Sequence, residues 1–200
     1  MERLRSAGIS DLAVLHAFDA VPRHRFVPDA LRRRAYEDAA LPIGHGQTIS
    51  RPGVHALHLS LVELEGDERA LEIGTGSGFQ TALLARLCRE VFSIERVPEL
   101  AERARDRLAD AGVRNVTLRI DDGSRGWPGE APFDVVLVGA AAPEVPETLR
   151  DQLAPGGRLV VPVGDGDDQE LRLVRREADG WEETTVERAR FVPLVGEEGW

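Results

Sequence analysis

A short apolar run, Ala70-Leu71-Glu72-Ile73, stops at Gly74-Thr75-Gly76-Ser77-Gly78, and helix-forming residues begin at once with Phe79. Few folds accept that order. The run is too short for a buried helix and suits a strand inside a sheet. Glycines at alternate positions let the chain turn through positive φ and bring its backbone close to a ligand. A strand that ends in such a turn and enters a helix opens an α/β unit. In these sheets ligands sit at the carboxyl ends of the strands.

The alternation continues. Residues 91–95, 116–120, 134–140 and 158–163 predict further strands, with helices over roughly 78–88 and 146–153. Val97, Leu100, Ala101, Ala104, Leu108 and Ala111 recur at helical spacing, and Gly112 is placed to end that helix. Residues 170–177 and 184–194 predict added antiparallel strands. The expected class is α/β: a doubly wound, mostly parallel sheet of the seven-stranded type behind an N-terminal helical segment. In that segment Ser10 is the expected cap of a first helix, with Leu12, Leu15 and Phe18 on one face and Pro22 closing it. Pro28-Asp29 suggests a second short helix. Residues 41–53, rich in Gly and Pro, read as a loop outside the core, followed by a helix from Pro52 to about Leu64.

Composition narrows the function. The chain is 42% hydrophobic and 30% charged, the balance of a folded globular protein. Its formal net charge of -10 disfavours neutralising a nucleic-acid backbone. All 25 basic residues are Arg, which removes chemistry that needs a lysine. Cys88 is the only cysteine, so no intrachain disulfide and no cysteine metal site can form, and a cytoplasmic setting is expected. Cys88 lies in an apolar stretch where packing is its expected role. No apolar run approaches the roughly 20 residues of a membrane span, and no secretory signal pattern is seen. His45, His55 and His58 cluster, yet no Cys or carboxylate completes a site beside them, so no metal is expected. Oligomeric state stays open, with a monomer as the default.

The ligand of the glycine turn can be argued from its neighbours. A dinucleotide turn needs Gly-x-Gly-x-x-Gly; here the third glycine, Gly78, comes one residue early and Phe79 stands in its place. The Gly-Lys-Ser/Thr of a phosphate loop is absent. Glu72, just before the turn, would repel a pyrophosphate and suits a ligand carrying an ammonium and a sulfonium. Glu95 closes the second strand, where an acid can accept both ribose hydroxyls. Asp122 follows the third strand, where its carboxylate or nearby backbone can meet an adenine edge. A lone glycine turn is as often a plain tight turn. Three acids at the ends of three successive strands favour S-adenosylmethionine as cofactor, and together they resemble the class I S-adenosylmethionine-dependent methyltransferases, which are Rossmann-like.

The acceptor is written elsewhere. Base-directed amino methyltransferases tend to carry Asn/Asp-Pro-Pro-Tyr/Phe after the fourth strand, whereas this chain has GAAAPEVP. The run AYEDAALPIGHGQTISRP, with ALEIGTGSGFQTALLA, SIER, NVTLRIDDGSRGWP, GGRLVVPVG and FVPLVGEEGW, resembles the protein-L-isoaspartate O-methyltransferase family from about Val21 to Trp200. The resemblance implies methyl transfer to the free α-carboxyl of L-isoaspartyl residues in damaged proteins and peptides, the start of their repair. It places Ser50 on the active-site serine and Gln47, Thr48 and Ile49 in the active-site loop beside the cofactor. His55 falls on a position that contacts the cofactor in some members. Gly74, Thr75, Gly76, Ser77, Gly78, Glu95, Asp122 and Gly123 match cofactor contacts, and Glu72 joins them on the charge argument above. The chain departs from the family at Gly139, where Thr is usual, at Asp121, where Gly is usual, and at Phe79, where Tyr is common. The implied partners are isoaspartyl proteins and peptides, with no nucleic acid and no membrane. The alternative is a methyltransferase of the same fold with another acceptor, a modified-peptide carboxylate or a tRNA base. One domain over 1–200 is expected, with the helical segment and acceptor loop in 1–65 and the cofactor-binding core in 66–200.

That reaction asks little of side chains. An α-carboxyl has an ordinary pKa of about 3.3–3.7 and is ionised near pH 7, so no general base is needed. Ser50 is expected to orient the carboxylate through a hydrogen bond. A covalent role lacks a paired base in the sequence. Judged by residue chemistry alone, Ser50 could equally cap the helix after Pro52.

Overall fold

The computed structural model describes residues 1–200. Helices α1 (Glu2–Ser6) and α2 (Leu12–Ala20) are followed by 3-10 turns at Arg23–Arg25 and Asp29–Arg34. A hairpin of β1 (Leu41–Gly44) and β2 (Gln47–Ile49) leads into α3 (Pro52–Leu61). Then come β3 (Arg69–Ile73), α4 (Phe79–Leu87), β4 (Glu90–Glu95), α5 (Pro98–Asp110) and β5 (Val116–Ile120). The chain finishes with β6 (Phe133–Val138), α6 (Glu147–Asp151), β7 (Leu153–Asp165), β8 (Asp168–Glu177) and β9 (Gly180–Ala189). No helix is long and apolar enough to cross a membrane.

The main sheet has seven strands in the order β5-β4-β3-β6-β7-β8-β9. Strands β3 to β7 pair parallel, while β8 and β9 are added antiparallel. The chain runs outward from β3 to β5, then returns to lay β6 on the other side of β3. That reversal makes β3/β6 the switch point, where a crevice opens at the strands' carboxyl ends.

Both faces of the sheet are covered, which explains why β3 is buried from Ala70 to Ile73 without alternating, Glu72 included. Alternate residues serve different layers. Ala70, Val91, Val135 and Leu137 join a cluster of 30 buried residues that also takes in α1–α5. Leu71, Ile73, Val136 and Val138 face the other way, into a cluster of 15 with Leu149 of α6 and Leu194. The N-terminal helices thus share a core with the sheet. Phe18 of α2 meets Phe79 edge-on, their rings 5.8 Å apart.

Several expectations are corrected. The cap of α2 is Asp11, whose carboxylate accepts from the Ala13 and Val14 N–H groups, and not Ser10. Leu12 is exposed; Val14, Leu15 and Ala17 form the buried face. Residues 41–49 are a hairpin and not a loop, with Leu41, Ile43 and Ile49 buried. Its turn is His45-Gly46, with φ of 53° and 70°, the type I′ geometry that follows strand twist. Helix α3 stops at Leu61, and β9 ends at Ala189, so residues 190–194 lie outside it. The Arg-rich segment divides. Arg32 and Arg34 make exposed pairs with Asp29 and Glu37. Arg23 is buried, donates from Nε to the Ala35 carbonyl at 2.7 Å and lies over the Phe79 ring. Cys88 is buried, and burial pushes its thiol pKa up, so it is a packing residue.

Candidate active site

The glycine turn lies at the switch point and is stitched to its neighbours by backbone. The Gly74 and Thr75 N–H groups donate to the Ile94 carbonyl at 2.8 and 3.3 Å, and the Gly139 N–H donates to the Ile73 carbonyl at 2.8 Å. Gly74, Gly76 and Gly78 all hold positive φ. The third glycine serves packing: a Cβ on Gly78 would stand 3.3 Å from the Ala104 Cβ of α5.

Three cavities meet above this turn. One of about 80 Å³ is walled by Gln47 and Thr48, by Gly74, Gly76, Glu95 and Gly123, and by Val192 to Val195. A second, about 40 Å³, lies between the turn and α3, against Ile49, Ser50, His55, Thr75, Ser77 and Gln80. The third, about 400 Å³, opens between the start of α3 and the end of β9. Thr48 and Gly139 border all three, and Ser50 borders the second and third. Gly139 is therefore central: a side chain there would project from backbone already close to the Ile73 and Gly74 carbonyl oxygens.

The three acids occupy different depths. Glu95 is at the cavity. Its Oε2 accepts from the Gly76 N–H at 2.7 Å and its Oε1 from the Val97 N–H at 2.9 Å. A carboxylate has about four lone-pair directions, so capacity remains for two hydroxyls. Glu72 lies one layer behind the turn and is wholly buried. Its Oε2 accepts from the Thr81 and Ser93 hydroxyls at 2.5 and 2.6 Å, while Oε1 has no partner. With Ser93 donating to Glu72, the Thr75 hydroxyl donates to Ser93 at 2.6 Å, which links the turn to the acid. Burial pushes the Glu72 pKa up to about 7 against the pull of those hydrogen bonds. A buried acid with one unpartnered oxygen fits a cationic ligand beside it.

Asp122 has its carboxylate engaged within the protein, which leaves the nearby backbone to face the cavity. Its Oδ1 accepts from the Ser124 N–H and hydroxyl at 2.9 and 2.7 Å, and its Oδ2 from the Glu197 N–H at 2.8 Å. Burial alone would raise its pKa. The hydrogen bonds from Glu197 and Ser124 outweigh burial and hold the carboxyl below its ordinary range. Asp122 thus anchors the C-terminal segment, and its neighbour Gly123 faces the first cavity.

That segment, residues 192–200, forms a wall whose long-range contacts no sequence pattern reports. Ala141 exchanges backbone hydrogen bonds with Val192 and Leu194, and the Trp200 indole N–H donates to the Ala141 carbonyl. Glu198 accepts from the Thr148 hydroxyl and N–H. The available signal was Gly196, where any Cβ would collide with the Asp122 carboxylate.

Ser50 follows β2 directly. Its hydroxyl makes no hydrogen bond within the protein, and the cap of α3 is Arg51, so the capping alternative is set aside. His55 is buried, with its Nδ1 2.8 Å from the Gln80 Oε1. A carbonyl oxygen can only accept, so Nδ1 carries the proton. Burial first, then the Arg23 charge, pushes the His55 pKa down to about 3. His58 stacks on Phe191, and burial pushes its pKa down to about 4. Both imidazoles are neutral near pH 7.

Known proteins share this sequence pattern and fold. Residues 1–199 match the family model described as Protein-L-isoaspartate(D-aspartate) O-methyltransferase. The chain is 54% identical to Protein-L-isoaspartate O-methyltransferase 1 of Syntrophobacter fumaroxidans, over 99% of this chain and 92% of that one. It superposes on a solved protein-L-isoaspartate O-methyltransferase with a TM-score of 0.87 and 31% identity, over 98% of this chain and 65% of that chain. A Plasmodium falciparum β-aspartate methyltransferase in complex with S-adenosyl-L-homocysteine gives a TM-score of 0.85 and 27% identity, over 97% of this chain and 95% of that one. The chain belongs to the protein-L-isoaspartate O-methyltransferase family.

Proposed function

We propose that this protein transfers the methyl group of S-adenosylmethionine to the α-carboxyl of L-isoaspartyl residues in damaged proteins and peptides. The observation that carries this reading is the junction at Thr48 and Gly139. On one side lie a glycine turn and buried acids fit for a cationic nucleoside; on the other lies a large cavity with the uncommitted Ser50 hydroxyl. The relatives named for this activity, and the S-adenosyl-L-homocysteine held by the Plasmodium protein, support the same cofactor and acceptor.

In this reading Gly74 and Gly76 offer backbone to the cofactor, Glu95 takes the ribose hydroxyls, and Gln47, Thr48 and Gly123 close around it. Glu72 acts from behind the turn as counter-charge, through Thr75 and Ser77 at the second cavity. Ile49, His55 and Gln80 form the apolar and neutral floor. When bound, S-adenosylmethionine supplies an electrophilic methyl carbon and its own neutral thioether leaving group. The acceptor carboxylate would meet that methyl carbon in line, with the thioether sulfur keeping the electron pair of the bond it gives up. No proton moves. The protein's share is alignment and exclusion of water, and alignment of this kind can supply up to about 7–11 kcal/mol of a barrier. Ser50 donates to the carboxylate and fixes which oxygen faces the methyl carbon.

Two synthetic peptides that differ only in an isoaspartyl or a normal aspartyl residue test the assignment. Radiolabelled methyl transfer is expected to the first and not to the second. Equal rates on both would remove the isoaspartyl acceptor and leave only the methyltransferase chemistry. For Ser50→Ala, the loss of one hydrogen bond to a charged acceptor is expected to lower kcat roughly tenfold to a hundredfold. A full kcat in that variant would end the orienting role.

A further inference from the structure

Four glycines border the first cavity, and the fold accounts for three of them. Gly74 and Gly76 hold positive φ in the turn. A Cβ on Gly123 would stand 2.5 Å from the Ile73 Cγ2, so packing excludes a side chain there. Gly139 is different. It lies just past β6, its φ is outside the left-handed region, and its N–H is tied to the Ile73 carbonyl at 2.8 Å. A Cβ at this position would meet only two atoms within 4 Å, the Ile73 and Gly74 carbonyl oxygens at 3.3 and 3.5 Å. Both contacts are close, but neither is a collision. The fold could therefore carry a side chain at 139. What that side chain would fill is the space where all three cavities meet.

The wall of that space is held firmly. Phe191 borders the second and third cavities and stacks on His58, their rings 5.5 Å apart. Its backbone is clamped by the buried Gln169, whose Oε1 accepts from the Phe191 N–H at 2.7 Å and whose amide N–H donates to the Phe191 carbonyl at 3.1 Å. In the methyl-transfer reading, on which this inference rests, the cofactor lies on one side of Gly139 and the acceptor carboxylate on the other. The group between them is the one in transit. We propose that Gly139 sets the size limit for that group, and that this protein binds S-adenosyl sulfonium analogues with alkyl groups larger than methyl and transfers those groups. The balance is that of methyl transfer. The carboxylate oxygen bonds to the first carbon of the alkyl group, and the sulfur keeps the electron pair of the bond it gives up. The products are an alkyl ester and a neutral thioether. A site closed around methyl would reject one added methylene by roughly tenfold to two-hundredfold. Room at Gly139 removes most of that rejection.

Titration calorimetry on the intact protein compares S-adenosylethionine with S-adenosylmethionine. In the unaltered protein the ethyl analogue is expected to bind within about tenfold of the methyl cofactor. Gly139→Ala and Gly139→Thr put atoms into the shared space. The resulting overpacking is expected to raise the ethyl-to-methyl Kd ratio at least about threefold with Ala and about fivefold with Thr. A calorimetric scan shows which variants are folded, and the larger folded one decides. With an isoaspartyl peptide, mass spectrometry is expected to show the ethyl ester from the unaltered protein. A Kd ratio above about tenfold in the unaltered protein overturns the inference, and so does a smaller rise in the deciding variant. A methyl ester without any ethyl ester overturns it too. No methyl ester at all would instead overturn the parent reading, and the Kd ratios alone would then decide the size limit.

Discussion

Glu72→Gln is expected to gain about 3 kcal/mol of stability relative to the unaltered protein as pH rises from 4.5 to 8, and to weaken its grip on S-adenosylmethionine. The carboxyl is wholly buried, and burial lifts its pKa from an ordinary 4.5 to about 7. Between those values the folded state keeps a proton that the unfolded chain has released. Folding is therefore favoured less as pH rises through that window, and the cost is complete above pH 7. The gap between the two values, at about 1.4 kcal/mol per unit, gives a cost of about 3 kcal/mol. Glutamine keeps an oxygen for the Thr81 and Ser93 hydroxyls and carries no charge to desolvate. Its amide N–H groups replace the unpartnered Oε1 at a pH-independent cost of about 1–3 kcal/mol, so the pH-dependent part of the change is what reports the carboxylate. For a chain of this size the gain corresponds to roughly 6–12 °C in Tm. This pH-dependent gain should shrink as pH is lowered and vanish below pH 4.5, where both states are protonated. Calorimetric scans of both proteins at pH 5 and pH 8 decide it. Equal Tm differences at the two pH values would mean that Glu72 does not titrate as its burial requires. Affinity should move the other way, since a cationic ligand gains from the carboxylate that the empty fold bears at a cost. A variant both more stable and as tight in S-adenosylmethionine binding would remove Glu72 from the cofactor site.

That pairing of cost and use shows what was legible in the sequence. The position of Glu72, one residue from a glycine turn, marked it as functional; its depth could not be read, because the hydroxyls that hold it come from α4 and β4. Asp122 shows the same limit from the other side. The residue stands where an acid was expected, yet its carboxylate is committed to the backbone of Glu197, 75 residues away. No local pattern reports a contact of that range. The strands were readable because parallel strands buried on two faces are continuously apolar. The hairpin at 41–49 was missed because Pro42, Gly44 and Gly46 outweighed the alternation of Leu41 and Ile43. Pro42 is tolerated on a two-stranded edge, where a missing donor costs little. The C-terminal wall has no period at all and is fixed by single contacts from Trp200, Glu198 and Asp122. Ser50 was singled out by family resemblance, and residue chemistry alone left it open to a helix-capping role. What structure adds is that its hydroxyl is uncommitted and borders the large cavity.

Glu95→Ala is expected to raise the Kd for S-adenosylhomocysteine about a hundredfold. The carboxylate has two tasks that geometry separates. It clamps the Gly76 and Val97 N–H groups, which holds the turn in shape, and it turns its remaining acceptor capacity towards the first cavity. Charge-assisted hydrogen bonds contribute roughly 1.5–3 kcal/mol each, and about 3 kcal/mol of lost binding is a little over a hundredfold. Glu95→Gln keeps the shape and one carbonyl oxygen but sets an amide N–H against a backbone donor, so at least a tenfold loss is expected there. Titration calorimetry with S-adenosylhomocysteine and its 2′,3′-dideoxy analogue separates the tasks. If Glu95 accepts both ribose hydroxyls, the analogue binds the unaltered protein weakly, and the alanine substitution costs it little more. If Glu95 only braces the turn, the substitution weakens both ligands by the same factor, because the turn meets the rest of the ligand in each. A Kd within about threefold of the unaltered value for both ligands would sink both roles. The first cavity would then be no cofactor site, since Glu95 is the acid that both borders it and fixes the glycine turn beneath it.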